Sequence, residues 1–345
     1  MTAVSERPSS IDSVVHSGQP GLRTMYWVFP DRESTRRRAM WGAAFWDCYA
    51  SVAEELGMRW VPTPPDAIAV DGSDLSDPKV YVHGERATPA DSLFVTVPYT
   101  LPYQSSDVFG QFAIYAVLEQ CGFYLPAPPK WAALNNDKLA TVLFLRDSPV
   151  PPIPSVRIAT GPDLGSKLYE PVLAGITYPA ILKPVGWCSG WGVCLARTEE
   201  DLRNLLSLAQ GGDTPVVVQP FLGENLVDYR VTVVDGKPHT VVRRTPRAGS
   251  LTSNYGTGNY AFGALPEELR GAVAHFAKRM PVPYFCIDFL FDGEQYWFSE
   301  IELDGAIACP DPSDPEAVRG QRDLVAARFT AYRNAHAAHL SEVSA

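Results

Sequence analysis

What the chain lacks narrows its class first. Its 345 residues contain no run of 18 uncharged, dominantly apolar residues, the length a bilayer-crossing helix needs. The opening Met1 to Gly21 has neither the basic start nor the apolar stretch of a secretion signal, so 1–21 reads as a disordered leader on a soluble cytoplasmic protein. The six cysteines (Cys48, Cys121, Cys188, Cys194, Cys286, Cys309) form no Cys-x-x-Cys pair and no even framework. They read as reduced thiols, mostly small core residues, rather than disulfides or zinc ligands. Of six histidines only His336 and His339 stand close together, and without an acidic or Cys neighbour they read as solvated groups on a C-terminal helix. Basic residues are scarce, 29 against 39 acidic, and the net charge of −10 argues against a nucleic-acid or anionic-membrane surface as the main partner. There is no Gly-Lys-Ser/Thr phosphate loop, no Gly-x-Gly-x-x-Gly fingerprint, no supported Ser/His/Asp or Cys/His arrangement and no internal repeat.

What is there is a folded, aromatic chain: 46% hydrophobic, 11% aromatic and only 20% charged, with length for about two domains. Apolar and β-branched runs predict strands at 24–29, 59–62, 79–83 and 93–97. Between them, Met40, Phe45, Tyr49 and Val52 recur at helical spacing over 38–56 before Gly57, and a second helix fits 107–120 with Asp107 as N-cap. Alternating strand and helix predicts an α/β domain with a mainly parallel sheet over 22–125. The Pro-rich stretch 124–130 marks a boundary. A helix over 134–146, capped by Asn135 or Asn136, then an extended Pro connector at 149–154, lead into a strand-rich half. Its strands are expected at 180–183, 193–196, 216–219, 229–234, 239–243, 285–291 and 295–301, with helices at 199–209, 266–279 and 314–338. Asp235-Gly236 and Asp292-Gly293 predict hairpins.

The chemistry concentrates in this second half. Lys183 closes an apolar strand and is followed by Gly186, Gly190 and Gly192 before another strand. That order suits a flexible hairpin whose N–H groups wrap phosphate oxygens while the ammonium supplies charge; the alternative is a plain turn with a snorkelling lysine. Lys138 precedes it in Asn-Asp-Lys, Gln219 to Leu222 follows on a strand, and Asp288 and Glu300 fall on partner strands of one hairpin. Carboxylates on adjacent antiparallel strands converge on a hard cation, and magnesium on nucleotide phosphates needs only one or two of them.

On these residues the chain resembles the ATP-grasp superfamily, and within it the RimK-like carboxylate–amine ligases, over about 90–310. The resemblance implies an α+β ATP-grasp fold in which a small subdomain with the glycine flap (126–215) and a C-terminal subdomain with the metal site and final helix (216–345) clasp ATP. It implies ATP contacts from Lys138, Lys183, the loop residues Gly186, Ser189, Gly190 and Gly192, and the hinge residues Gln219, Phe221 and Leu222. Asp228, or else Glu224, stands in the place of the ribose contact, and Ser253-Asn254 is similar to the family's Arg-Ser-Asn segment, which adds Asn254. Arg230 matches the arginine near phosphate and substrate and, with Lys183, is the implied catalytic pair. Asp288, Glu300 and Glu302 sit in the metal positions for two Mg2+ ions, with Glu302 where the family usually has Asn. Trp187 and Trp191 replace smaller loop residues and would either cover nucleotide or an aromatic substrate, or pack the closed flap. The basic trio Arg243, Arg244 and Arg247 is either a carboxylate or acyl-phosphate site or solvated surface. The implied activity is ATP-dependent ligation of a small-molecule acid and amine, an amino acid or peptide-like metabolite, by a protein whose relatives are commonly dimers. The rival readings are a non-catalytic ATP-binding protein on the same fold and a kinase that stops at phosphoryl transfer.

Overall fold

The computed structural model describes residues 21–28, 43–96, 108–159, 169–253, 258–305, 307, 309 and 311–343. The expected leader up to residue 20, the Met40 end of the first helix, the Asp107 cap and Asn254 lie outside them.

The N-terminal sheet is parallel, in the order β2 (Arg59–Thr63), β1 (Thr24–Val28), β6 (Ser92–Thr96). All five residues of β1 and of β6 are buried, as an unbroken apolar and β-branched run requires of a strand covered on both faces. Helices α1 (Ala43–Glu55) and α2 (Val108–Gln120) complete the α/β unit. One expected member is placed differently. The strand at 79–83 is β4 (Lys79–Val82) of a separate antiparallel meander, between β3 (Ile68–Asp71) and β5 (Glu85–Ala87). Its half-exposed, four-residue pattern is that of a small one-sided sheet, and its neighbours, of four and three residues, are too short to give a strand signal of their own.

The helix expected over 134–146 is two helices, α3 (Pro129–Asn135) and α4 (Lys138–Phe144). The break falls at Asp137, whose extended backbone lets its carboxylate accept the Leu139 and Ala140 N–H groups as N-cap of α4. Neither Asn135 nor Asn136 caps it. Asn135 instead clips the last strand of the molecule, donating to the Ile301 carbonyl and accepting from Leu303 N–H.

Two further sheets carry the second half. A four-stranded antiparallel sheet runs β7 (Val156–Ile158), β10 (Val216–Pro220), β8 (Ala180–Pro184), β9 (Cys194–Ala196), covered by α5 (Glu199–Gly211). A reciprocal capping box between Thr198 and Asp201 starts α5, and Leu202 and Leu206 bury its apolar stripe. A five-stranded antiparallel sheet runs β13 (Gly258–Gly263), β12 (Lys237–Pro246), β11 (Val227–Val234), β14 (Tyr284–Phe291), β15 (Tyr296–Glu302). The tight β11–β12 turn uses Asp235 and Gly236 at φ 47° and 73°, the left-handed pair of a type I′ hairpin. On one face of this sheet Val231, Val233, Ile287, Phe289 and Phe298 pack against Leu269, Val273 and Phe276 of α6 (Glu267–Arg279).

The last helix, α7 (Pro315–Val343), lies against α1 and the parallel sheet. Leu324, Val325, Phe329 and Tyr332 share one core with Trp27, Tyr49, Tyr284 and Cys286. His336 and His339 are docking residues here, not solvated ones: His336 is buried with Nε2 2.7 Å from the Pro89 carbonyl, and His339 meets the Gly122 carbonyl at 3.2 Å. Cys286 alone of the six cysteines is fully buried. Among the described residues no helix is long and apolar enough to cross a membrane.

Candidate active site

The second face of the five-stranded sheet carries charge. Residues two apart on a strand share a face, and directly opposed residues on antiparallel neighbours share it too. Arg244 on β12 lies opposite Asp228 on β11, Arg230 on β11 opposite Asp288 on β14, and Asp288 opposite Glu300 on β15. Glu302 follows Glu300 by two. Sequence-remote residues are thus brought to one surface by register alone.

They form a continuous network. Arg230 grips Asp288 with two bonds, Nε to Oδ1 at 2.8 Å and Nη2 to Oδ2 at 2.7 Å, and its Nη2 is 2.8 Å from Glu302. Arg244 Nη2 spans Asp228 at 2.6 Å and Asp288 at 2.9 Å, and Ser253 donates to the same Asp228 oxygen. Ligand oxygens of Asp288, Glu300 and Glu302 all lie within 4.8 Å of one another. Such a set of hard oxygen donors suits a divalent cation.

The facing wall comes from the four-stranded sheet. Lys183 on β8 and Lys138 at the start of α4 point into the same cleft, with Gln219 to Leu222, Asp228, Glu300 and Glu302 among its lining. Lys138 Nζ donates to the Trp187 carbonyl at 2.8 Å and sits 3.7 Å from Glu300. The loop between β8 and β9 covers the cleft with Trp187, Cys188, Ser189, Gly190 and Trp191. Ser189, Gly190 and Gly192 adopt positive φ of 60°, 72° and 72°. A Cβ at Gly192 would strike the Pro184 ring at 2.8 Å, so glycine there is a packing requirement. Gly186 does not line the cleft; it lets the loop root pass the Asn136 carbonyl, which a Cβ would meet at 2.9 Å.

Three carboxylates (Asp228, Glu300, Glu302) and two cations (Lys138, Lys183) therefore line one cleft, and Asp288, Arg230 and Arg244 join them through the buried ion-pair network, so that the formal charges of the eight groups cancel. Their protonation balances differ. Burial raises the Asp288 carboxyl, but the guanidiniums of Arg230 and Arg244 outweigh it and hold it well below the usual carboxylate range. Asp228 and Glu302 move the other way: burial, aided by neighbouring carboxylates, outweighs their arginine partners and raises both. Burial also pulls the Lys183 ammonium down, against the opposing pull of Glu300 and Asp288.

Some expected members fall elsewhere. The Arg243, Arg244, Arg247 trio is split by strand alternation: Arg244 is buried in the network, whereas Arg243, opposite Tyr229, and Arg247 are exposed and off the cleft lining. Glu224 is exposed and off the lining as well. Of the two ribose candidates only Asp228 is at the cleft; its Oδ2 is committed to Arg244 and Ser253, while its buried Oδ1 has no hydrogen-bond partner among the described residues. The sequence reading missed the apolar walls Ile153, Ile181, Leu226 and Leu290. Leu290 was within reach, since it lies opposite Asp228 and so on the charged face.

Residues 135–307, half of the chain and all of both site sheets, match the model of the RimK-like ATP-grasp domain. The chain is 25% identical over 187 residues to a probable alpha-L-glutamate ligase of Halorhodospira halophila, covering 54% of this chain and 59% of that relative, so it spans less than two thirds of that protein's length. A probable alpha-L-glutamate ligase of Saccharophagus degradans is 25% identical over 218 residues, with 63% and 69% covered. Among solved structures the fold is similar to D-alanyl-alanine synthetase A from Vibrio cholerae, with a TM-score of 0.61 at 13% identity over 90% of this chain and 99% of that one. The chain belongs to the RimK-like ATP-grasp family.

Proposed function

We propose that the protein is an ATP-dependent carboxylate–amine ligase that joins a small acid and an amine through an acyl phosphate, the substrates being amino acids or small peptide-like metabolites. The observation that carries this reading is a cleft under a glycine loop in which Lys138 and Lys183 face Asp228, Glu300 and Glu302, the last two clustered with Asp288 as a set of hard oxygen donors. The similarity to relatives named as probable alpha-L-glutamate ligases supports the same reaction class.

In this reading a substrate carboxylate oxygen attacks the γ-phosphorus of ATP, the bond to the β–γ bridging oxygen breaks, and ADP leaves. The amine nitrogen then attacks the acyl carbon, the carbon–oxygen bond to phosphate breaks, and phosphate and a proton leave with the amide. Lys138 and Lys183 hold the phosphates by charge. The backbone of Gln219 to Leu222 meets the adenine edge between Ile153, Ile181 and Leu290, and the free Asp228 Oδ1 accepts from a ribose hydroxyl. Arg230 stabilises the transferred phosphoryl group electrostatically and serves as no base, because its guanidinium stays protonated throughout. Asp288, Glu300 and Glu302 are the residues that would hold Mg2+, which would supply positive charge against the negative charge developing on the transferred phosphoryl group. Ser189 to Trp191 close over the site, since an acyl phosphate open to water would hydrolyse.

The test is phosphate release from ATP over a panel of amino-acid pairs with mass detection, repeated on Lys183→Ala and Glu300→Ala. ADP, phosphate and an amide product only when acid and amine are both present is the expected result, with turnover lost in both variants. A stable phosphorylated product without amine would establish a kinase, and nucleotide binding without turnover a non-catalytic protein. Unchanged turnover in both variants would overturn the site assignment.

A further inference from the structure

Immediately after Glu302 the chain turns at Leu303, Asp304 and Gly305, and this turn is held by the last helix, which packs beside the site on the same face of β14. Arg328, on the buried side of α7 and 0% exposed, places Nη2 2.5 Å from Asp304 Oδ1. Its Nε donates to the Tyr332 hydroxyl at 2.8 Å, and its guanidinium lies over the rings of Tyr284 at 4.0 Å and Trp27 at 4.7 Å. The Tyr284 hydroxyl donates to the Gly305 carbonyl at 2.7 Å, and Gly305 lies so close to Cys286 that any side chain there would collide with the sulfur. One turn therefore has a charged clamp, a neutral hydrogen bond and a steric stop.

Stability alone does not call for the charge. Removing two ions from water is expensive, and a buried ion pair is often matched or bettered by apolar residues of similar size. A methionine would fill the space among Trp27, Tyr284 and Tyr332 without that cost. What it would not do is fix Asp304, and with it the end of β15, whose last carboxylate must keep its place within the 4.8 Å cluster. We propose that Arg328 is a positioning residue for the carboxylate cluster: by holding Asp304 it sets Glu302, so that the last helix, which contributes no lining residue to the cleft, tunes its affinity for a divalent cation. This inference rests on reading Asp288, Glu300 and Glu302 as a cation site.

The experiment is Mn2+ binding to the full chain by electron paramagnetic resonance, with a non-hydrolysable ATP analogue present, beside thermal unfolding. The double variant Arg328→Met/Asp304→Leu removes both charges of the pair together and is expected to keep a wild-type thermal midpoint while its Mn2+ dissociation constant rises about tenfold, as for lost supports of metal ligands. Its kcat falls with KM for acid and amine unchanged. Arg328→Lys keeps the charge but not the planar fork, and weakens Mn2+ severalfold; this variant decides the matter if the double variant does not fold. Arg322→Ala removes a different anchor of the same helix, to Ser51 at 2.8 Å and Glu55 at 2.5 Å, and leaves Mn2+ binding unchanged. Wild-type Mn2+ affinity in the folded Arg328 variants, or an equal loss in Arg322→Ala, would overturn the positioning role alone. A wild-type protein that binds no Mn2+ would overturn the cation site and this inference together.

Discussion

The five-stranded sheet has two faces built from alternate residues of the same strands, and they obey opposite rules. On the α6 face, Val231, Val233, Ile287, Phe289 and Phe298 meet Phe276, and each atom gained by packing adds to stability. On the cleft face, Asp228, Arg230, Arg244, Asp288 and Glu302 are desolvated and then repaired by one another, an arrangement that contributes little net stability and concentrates charge at the cleft. The comparison teaches that one strand can build the fold with its odd-numbered side chains and the chemistry with its even-numbered ones, as β11 does from Asp228 to Val231. Damage to the two faces should therefore be read by different instruments.

The largest expected effect is on the apolar face. Phe276→Ala empties a fully buried ring stacked against Phe289 and close to Phe298, and such truncations cost about 3–5 kcal/mol. Chemical denaturation should show that loss, while turnover per folded molecule stays at the wild-type value; a fall in turnover at full folding would break the separation of faces. The reverse experiment is Glu300→Gln. It keeps the shape and removes one charge from the cation cluster, so turnover should drop roughly 10²–10³-fold, in the range seen when one electrostatic stabiliser is deleted. The thermal midpoint should hold or rise, because Glu300 is only half-buried and its loss relieves repulsion with Glu302. A midpoint falling as far as that of Phe276→Ala would mean that the charged face also supports the fold.

How much of this was legible beforehand follows the same division. Strands with long apolar runs, such as Thr24–Val28 and Tyr284–Phe291, declare themselves, and two-residue turns such as Asp235-Gly236 fix which strands pair. Once pairing is fixed, register follows, and Asp288 and Glu300 could be brought together from sequence alone. Arg243 shows the limit. Three arginines within five positions look like one patch, but strand period puts Arg243 and Arg244 on opposite faces, and only knowing that 237–246 is a single unbroken strand reveals it. The α3–α4 break was hidden because Asn135, Asn136 and Asp137 are all capable caps, and which one acts depends on Asn135 being drawn to Ile301 and Leu303, 166 and 168 positions away. Arg328 gave no signal at all, since a lone arginine in a helical pattern reads as a solvated residue until the aromatic cage around it is seen.

The smallest effect sharpens the comparison most, because it is a matter of sign. Burial, with Asp288 and Glu300 nearby, raises the Glu302 carboxyl above its ordinary 4.5, despite Arg230. The folded state therefore binds a proton at Glu302 more readily than the unfolded chain does, and the ionised form at neutral pH weighs against folding. That penalty is full above the raised folded value, shrinks as pH falls through it, and is gone below about 4.5. Glu302→Gln removes the charge while its amide oxygen still accepts from Arg230, which retains both bonds to Asp288. The variant should accordingly unfold at a slightly higher temperature than wild type at pH 7, with the gap closing as the pH is lowered to 4.5 in paired thermal scans. Phe276→Ala should show the same deficit at both pH values, because no titrating group moves with that ring. A Glu302→Gln advantage that widened toward acid would reverse the assigned direction, and the cleft face would then have to be counted as a net stabiliser of the sheet.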